Sequence, residues 1–300
     1  MKNGRDLSFH YLLRGIILIG FMLLLFKLLL TNNISLLIAP KMLHFIYFTL
    51  FVLLTLGVLL TIRGTAGQNH SYHCDCEGEH SYPKSISKSV FLYVLFIFPI
   101  ITGFLFSSNV LGSSVALNRT IKLGANSQET NQIKNVSTTT KSNSSSVASS
   151  PANLLDNQPD PLTQSEYTQL KDKMVQAKNL TITDDQYVPM MNIIQDNLPN
   201  MIGKSVTTKG FVYREKDFMQ NQIIVARFGI TCCVADASVY GMMTTGDVVD
   251  LQKDEWVEVT GTIEKTQYDG SSIPMLKINQ ISKITAPKQP YVFDVGIKIE

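Results

Sequence analysis

Three runs in the first third of the chain stay apolar on every face: Tyr11 to Leu30, Leu43 to Ile62, and Val90 to about Leu111. Each approaches the roughly 20 residues that carry a helix across a hydrocarbon core. Stretches such as FVLLTLGVLL leave no polar side for water, unlike a helix that lies on a soluble core. The pattern predicts three spanning helices. Lys2 and Arg5 before the first run would also suit a secretion signal, but no small-x-small cleavage pattern follows, so the run is expected to stay as an anchor. Lys27 near its end can snorkel to the interface, and Pro40 falls in the connection, where a missing donor does little harm.

After the third run the pattern changes twice. Between Gly112 and Pro161 the chain is rich in Ser, Thr and Asn and too poor in apolar residues to repay ordering, which predicts a disordered tether. Two helical stripes then appear, Tyr167, Leu170 and Met174, followed by Val188, Met191, Ile194 and Leu198. Thr163–Glu166 and Thr183–Gln186 read as capping boxes ahead of them.

From Gly203 the period becomes that of strands, in GKSVTTKGFVY, NQIIVARFGITCCVA, EWVEVTGTIEK and PMLKINQISKIT, with Asp269-Gly270 as a turn. Gly210 and Gly261 interrupt two of them where a coiled strand would bend. Short strands that close on themselves suggest an OB-like barrel, although other small barrels or sandwiches fit the same pattern. The expected organisation is a three-helix membrane domain at 1–111 with a loop at 63–89, a linker at 112–161, and a helical lead-in with a mostly-β OB-like barrel at 162–300.

Charge adds an orientation. Lys2, Arg5, Arg14, Arg63, Lys84 and Lys88 collect on the side of the N-terminus, against Lys41, Arg119 and Lys122 with Lys27 close to them. This predicts a multi-pass protein of the cell membrane, with the N-terminus and the 63–89 loop cytoplasmic and the C-terminal domain extracellular. A net charge of +2, with no basic stripe interleaved with aromatics, speaks against a nucleic-acid partner.

Two segments carry candidate chemistry. HSYHCDCEGEH offers His70, His73, Cys74, Cys76 and His80, with negative charge from Asp75, Glu77 and Glu79. That donor mixture suits zinc or another soft or borderline metal ion. The Cys-x-Cys spacing is tight and no second pair closes the site, so binding there is expected to be weak or transient, and a solvated loop without such a role fits the residues as well. The second segment is RFGITCCVADA. In a regular strand Cys232 and Cys233 would point to opposite faces, so that one packs and the other is presented. Asp236 joins them if the chain turns after Ala235, and Met242 and Met243 lie near in sequence. Buried structural cysteine, a vicinal disulfide and a thiolate metal site with Asp236 are all open readings.

RFGITCCVADA, with IGKSVTTKGFVY before it and WVEVTGTIEK after it, resembles the C-terminal region of the YcgQ-like permease-subunit family of Gram-positive bacteria. The likeness extends over nearly the whole chain and is specific at Arg227, Phe228, Cys232, Cys233, Ala235, Asp236, Ala237, Trp256, Val257 and Gly261. It implies a block of membrane helices with a histidine-rich loop, encoded beside a larger permease. Cys74 and Cys76 depart from that pattern, since related loops are richer in histidine.

The expected function is that of an accessory subunit of a two-component membrane permease, handling a metal ion or metal-linked solute. The larger permease subunit is its partner, because none of the three runs carries a mid-membrane charge of the kind that marks an ion path, and His44 reads as interfacial. The alternative is a membrane-anchored sensor of redox or metal stress that uses Cys232 and Cys233. An enzyme is not expected: there is no glycine-rich phosphate loop, no serine elbow and no HExxH pair, and all five histidines precede the tether.

Overall fold

Asn32, in the left-handed region at φ 59°, turns the chain at the end of the first helix. The computed structural model describes residues 2–66, 86–105, 110–116, 121–122, 159–216, 218–268 and 270–298. They fall into two units, 1–109 and 110–300.

In the first unit α1 (Lys2–Leu30) passes through 3₁₀ turns at Asn33–Leu36 and Pro40–Met42 into α2 (Leu43–Thr65), and α3 spans Ile86–Leu105. Small residues let α1 and α2 touch backbone to backbone. A Cβ added to Gly64 would lie 2.6 Å from the Leu12 nitrogen, and one on Gly15 would lie 2.5 Å from Thr61 Oγ1. Leu12 thus faces Gly64 while Ile19 faces Gly57, so the pair is antiparallel. α3 runs parallel to α1: Tyr93 meets His10, Ile100 meets Gly20, and Gly103 meets Leu24. Lys27, expected to snorkel, donates from Nζ to the Phe104 carbonyl at 2.7 Å, one of the four that the end of α3 leaves without an intrahelical partner.

Phe9–Leu30 and Pro40–Thr65 are each long and apolar enough to cross a bilayer. Their outward side chains are apolar, with Phe48 and Phe51 each 67% exposed. The apolar part of α3 is Phe91–Leu105, shorter than the run read from Val90 to Leu111. Residues 106–109 of that run lie outside the described residues.

The second unit begins at Val110, at the end of the third apolar run, and takes in the first residues of the segment expected to be a tether. Leu111 N–H donates to the Tyr291 hydroxyl at 2.8 Å, and α4 (Ser113–Ala116) is held by Asp254, which accepts from Ser113 N–H and Oγ at 2.5 and 2.9 Å. β1 (Ile121–Lys122) also pairs with a strand of this unit. Folded structure therefore extends past residue 112, while 123–158 lie outside the described residues.

β2 (Leu162–Thr163) leads into α5 (Gln164–Gln176), whose Thr163–Glu166 capping box forms as expected. β3 (Asn179–Thr181) follows, then α6 (Tyr187–Asp196) and α7 (Leu198–Met201). The Thr183–Gln186 box does not form: α6 starts at Tyr187, and Gln186 makes no side-chain cap. Asp184, within that stretch, accepts from Arg227 Nη1 at 2.7 Å.

The strands are β4 (Ser205–Tyr213), β5 (Gln222–Ile230), β6 (Ser238–Thr245), β7 (Trp256–Tyr268), β8 (Ser271–Ile284), β9 (Tyr291–Phe293) and β10 (Ile297–Lys298). β4, β5, β6, β8 and β7 pair in that order, and β7 pairs back with β4, so the ring of hydrogen bonds closes. Only the β6–β8 contact within the ring is parallel. β6 was absent from the strands read by alternation, because six of its eight residues are buried in an unbroken run. β7 does alternate, and Val257, Val259 and Ile263 reach zero exposure on its inner face. Each such side chain contributes about 1.5–3 kcal/mol by leaving water.

The two glycines read as bends sit where strands press together. A Cβ on Gly210 would lie 2.5 Å from the Ala226 carbonyl oxygen, and one on Gly261 would overlap the Lys277 carbonyl, beside a bulge at Thr260/Gly261. Both helical stripes join the core, with Met174, Val188, Met191, Ile194 and Leu198 buried and Tyr167 and Leu170 partly so.

Arg227 is buried to 1% exposure yet fully engaged. Nε donates to the Pro290 carbonyl at 3.0 Å and Nη2 to that of Gln289 at 3.3 Å, and the guanidinium lies over the Trp256 and Tyr187 rings. It ties β5 to the approach to β9 and to the start of α6. Arg227→Lys keeps the charge but loses the fork. It should destabilise this unit by about 1–3 kcal/mol, read by urea unfolding through Trp256, the chain's single tryptophan.

Candidate metal centre

The loop between β5 and β6 is shaped by one carboxylate. Asp236 Oδ1 accepts from Thr231 N–H at 3.1 Å, and Oδ2 accepts from Cys232 N–H at 2.7 Å and Cys233 N–H at 3.3 Å. These donors would otherwise seek a strand partner. Given to Asp236, they leave the ladder, and β5 stops at Ile230. The Ile230 carbonyl is satisfied from the other side by Asp294 N–H at 3.0 Å. A 3₁₀ turn over Val234–Asp236 brings the carboxylate back over the segment it binds.

The cysteines therefore do not obey strand alternation. Both lie beyond the strand end and both are half-buried, rather than one packed and one presented. Their sulfurs are 3.8 Å apart, a thiol hydrogen bond and far beyond the roughly 2.05 Å of a disulfide. The chain turns at Val234, a residue earlier than expected, and the ligand atoms of Cys232, Cys233 and Asp236 lie within 4.8 Å of one another. Met242 and Met243 are buried within β6 instead.

The protonation states are linked. The hydrogen bond to Asp236, aided by the one to Cys233, pushes the Cys232 thiol up to about 11. Partial burial works to raise Asp236, but the bonds it accepts from the Cys232 thiol and from the three N–H groups outweigh it and lower its pKa. At neutral pH the loop is an ionised carboxylate that holds a protonated thiol. Two sulfurs and an oxygen converge on a half-exposed loop, a donor set suited to a borderline cation.

The other expected ligands, His70, His73, Cys74, Cys76 and His80, lie outside the described residues. A feature missed in the sequence is the 2.7 Å contact of His10 Nδ1 with the Tyr93 hydroxyl. His10 stands one residue before the first apolar run, where it reads as a flank, and only the pairing of α1 with α3 brings it inward.

Comparison with known proteins also divides the chain in two, with the first match running past residue 109 into the second unit. Residues 13–122 match the DUF1980 N-terminal domain and 159–294 the DUF1980 C-terminal domain. The chain is 27% identical over 218 residues to the UPF0703 protein YcgQ of Bacillus subtilis (strain 168), covering 70% of each. It is 36% identical over 118 residues to the "Putative two-component membrane permease complex subunit" of Streptococcus mutans serotype c (strain ATCC 700610 / UA159), covering 39% of this chain and 43% of that one. The chain belongs to the YcgQ-like permease-subunit family, and its two apolar helices fit the association with a membrane.

Asp236→Asn should return the Cys232 thiol toward its ordinary value of 9.0 from about 11. The thiolate fraction at pH 7.5 then rises, by at most about 100-fold, offset by at most about tenfold through the lower nucleophilicity of a less basic sulfur. In a chain whose only cysteine is Cys232, exchange with a small disulfide reagent should quicken by a few-fold and at most about tenfold, with its pH midpoint moved down.

Proposed function

We propose that this chain is the accessory subunit of a two-component membrane permease that handles a metal ion on its outer side. The observation that carries the reading is the joining of apolar span-length helices to a thiol-bearing β unit in a chain of this family. A larger membrane partner supplies the pathway; the name of the Streptococcus mutans relative, which makes that protein a subunit of a complex, supports a partner.

In this reading α3 is the third span. The up-down-up course of α1, α2 and α3 supports it, because it puts the N-terminus and residue 66 at one end of the bundle and residue 105 at the other. The His70–His80 segment then faces the cytoplasm, where its imidazoles and thiols receive or report the ion. The second unit stands outside as an OB-like barrel. Its closed ring, with the third strand parallel to the fifth, supports that reading. The chain acts by binding rather than by catalysis, in keeping with an outer unit devoid of histidine.

Affinity purification of the chain from its native membrane in mild detergent should recover a second multi-span protein in fixed ratio. Recovery of the chain alone, with activity in the membrane unaltered by its deletion, would contradict the reading. Reporter fusions after Ser85 and after Pro151 should report inside and outside respectively, and two equal compartments would contradict a third span.

A further inference from the structure

We infer that the β5–β6 loop captures a tetrahedral divalent cation of the Zn²⁺ class, held by the Cys232 and Cys233 sulfurs and an Asp236 oxygen, with its fourth position open. This deepens the accessory-subunit reading and rests on it only for where the ion goes next.

The first argument is metric. Two thiolates bound at about 2.3 Å on a tetrahedral ion stand about 3.8 Å apart. The two sulfurs are already 3.8 Å apart, so the ion can enter without a backbone rearrangement. Neighbouring cysteines in a strand would diverge, and the spacing exists because the loop has left the ladder.

The second argument concerns the oxygen. Asp236 Oδ2 accepts two N–H groups, whereas Oδ1 accepts one, from Thr231. The two oxygens offer about four acceptor sites, three taken by N–H groups and the fourth by the Cys232 thiol, and that fourth site passes to the ion when the thiol gives up its proton. The same three N–H groups fix the carboxylate in place, so it is a preorganised ligand rather than a mobile surface acid.

The third argument is chemical. Sulfur donors exclude Mg²⁺ and Ca²⁺, which take oxygen shells, and favour zinc and its neighbours. Each thiol releases its proton to solvent as its sulfur takes the ion, and the two thiolates cancel the double charge. A closed structural site needs a fourth protein ligand, and among the described residues none lies within this cluster. Three ligands on a half-exposed loop suit an ion that is taken up and passed on.

The test uses the full chain in detergent with a non-thiol reductant, Cys74→Ser and Cys76→Ser, so that sulfur signals come from the outer pair alone. Co²⁺ is the probe. One Co²⁺ per chain should give sulfur-to-cobalt charge-transfer absorption and the intense visible bands of a tetrahedral ion, both removed by Zn²⁺ and not by Mg²⁺. Cys232→Ser or Cys233→Ser should about halve the charge-transfer band, and Asp236→Asn should weaken affinity at least about tenfold. Unchanged Trp256 fluorescence checks the fold of each variant. Absence of the charge-transfer band, its survival in the double cysteine variant, or weak octahedral bands would overturn the inference. Binding by a chain that purifies without a partner would sink the accessory-subunit reading alone, whereas a partner without binding would sink this one alone.

Discussion

The decisive interaction in the outer unit is the capture of three consecutive backbone N–H groups by the Asp236 carboxylate. A strand N–H normally finds its acceptor on the neighbouring strand. Here a side chain from three to five residues further on supplies it. The strand ends, the chain turns through Val234–Asp236, and two adjacent cysteines that would have diverged are set side by side. The chemistry of the loop follows from that exchange of acceptors.

The same constraint sits within a closed ring that keeps the ends of β5 and β6 in place. Gly210 and Gly261 permit the close approach of strands that the closure demands, and Arg227 bolts β5 to the segments beyond. The membrane unit uses small residues to a similar end. Gly15, Gly57 and Gly64 allow backbone contact between α1 and α2, where lipid offers no hydrophobic drive for helices to associate.

Features whose cause is local were legible in the sequence. The apolar runs, the Thr163–Glu166 cap, the two helical stripes and the alternation of β7 each depend on residues a few positions apart. Features set by distant partners were not. β6 has both faces covered and so shows no alternation, Thr183–Gln186 forms no cap while Asp184 pairs with Arg227, and the stretch from Leu111 to Ser113 is tied down by Tyr291 and Asp254. At the loop, sequence order named Cys232, Cys233 and Asp236 as neighbours but assumed a regular strand. The carboxylate was read only as a ligand, when its first role is to accept backbone hydrogens.

Hydrogen exchange at single-amide resolution addresses that role most directly. The account predicts slow exchange at Thr231, Cys232 and Cys233 although they lie outside the ladder, and its loss on Asp236→Ala while residues 222–230 stay protected. Fast exchange at the three amides in the unaltered chain, or protection that survives removal of the carboxylate, would contradict it.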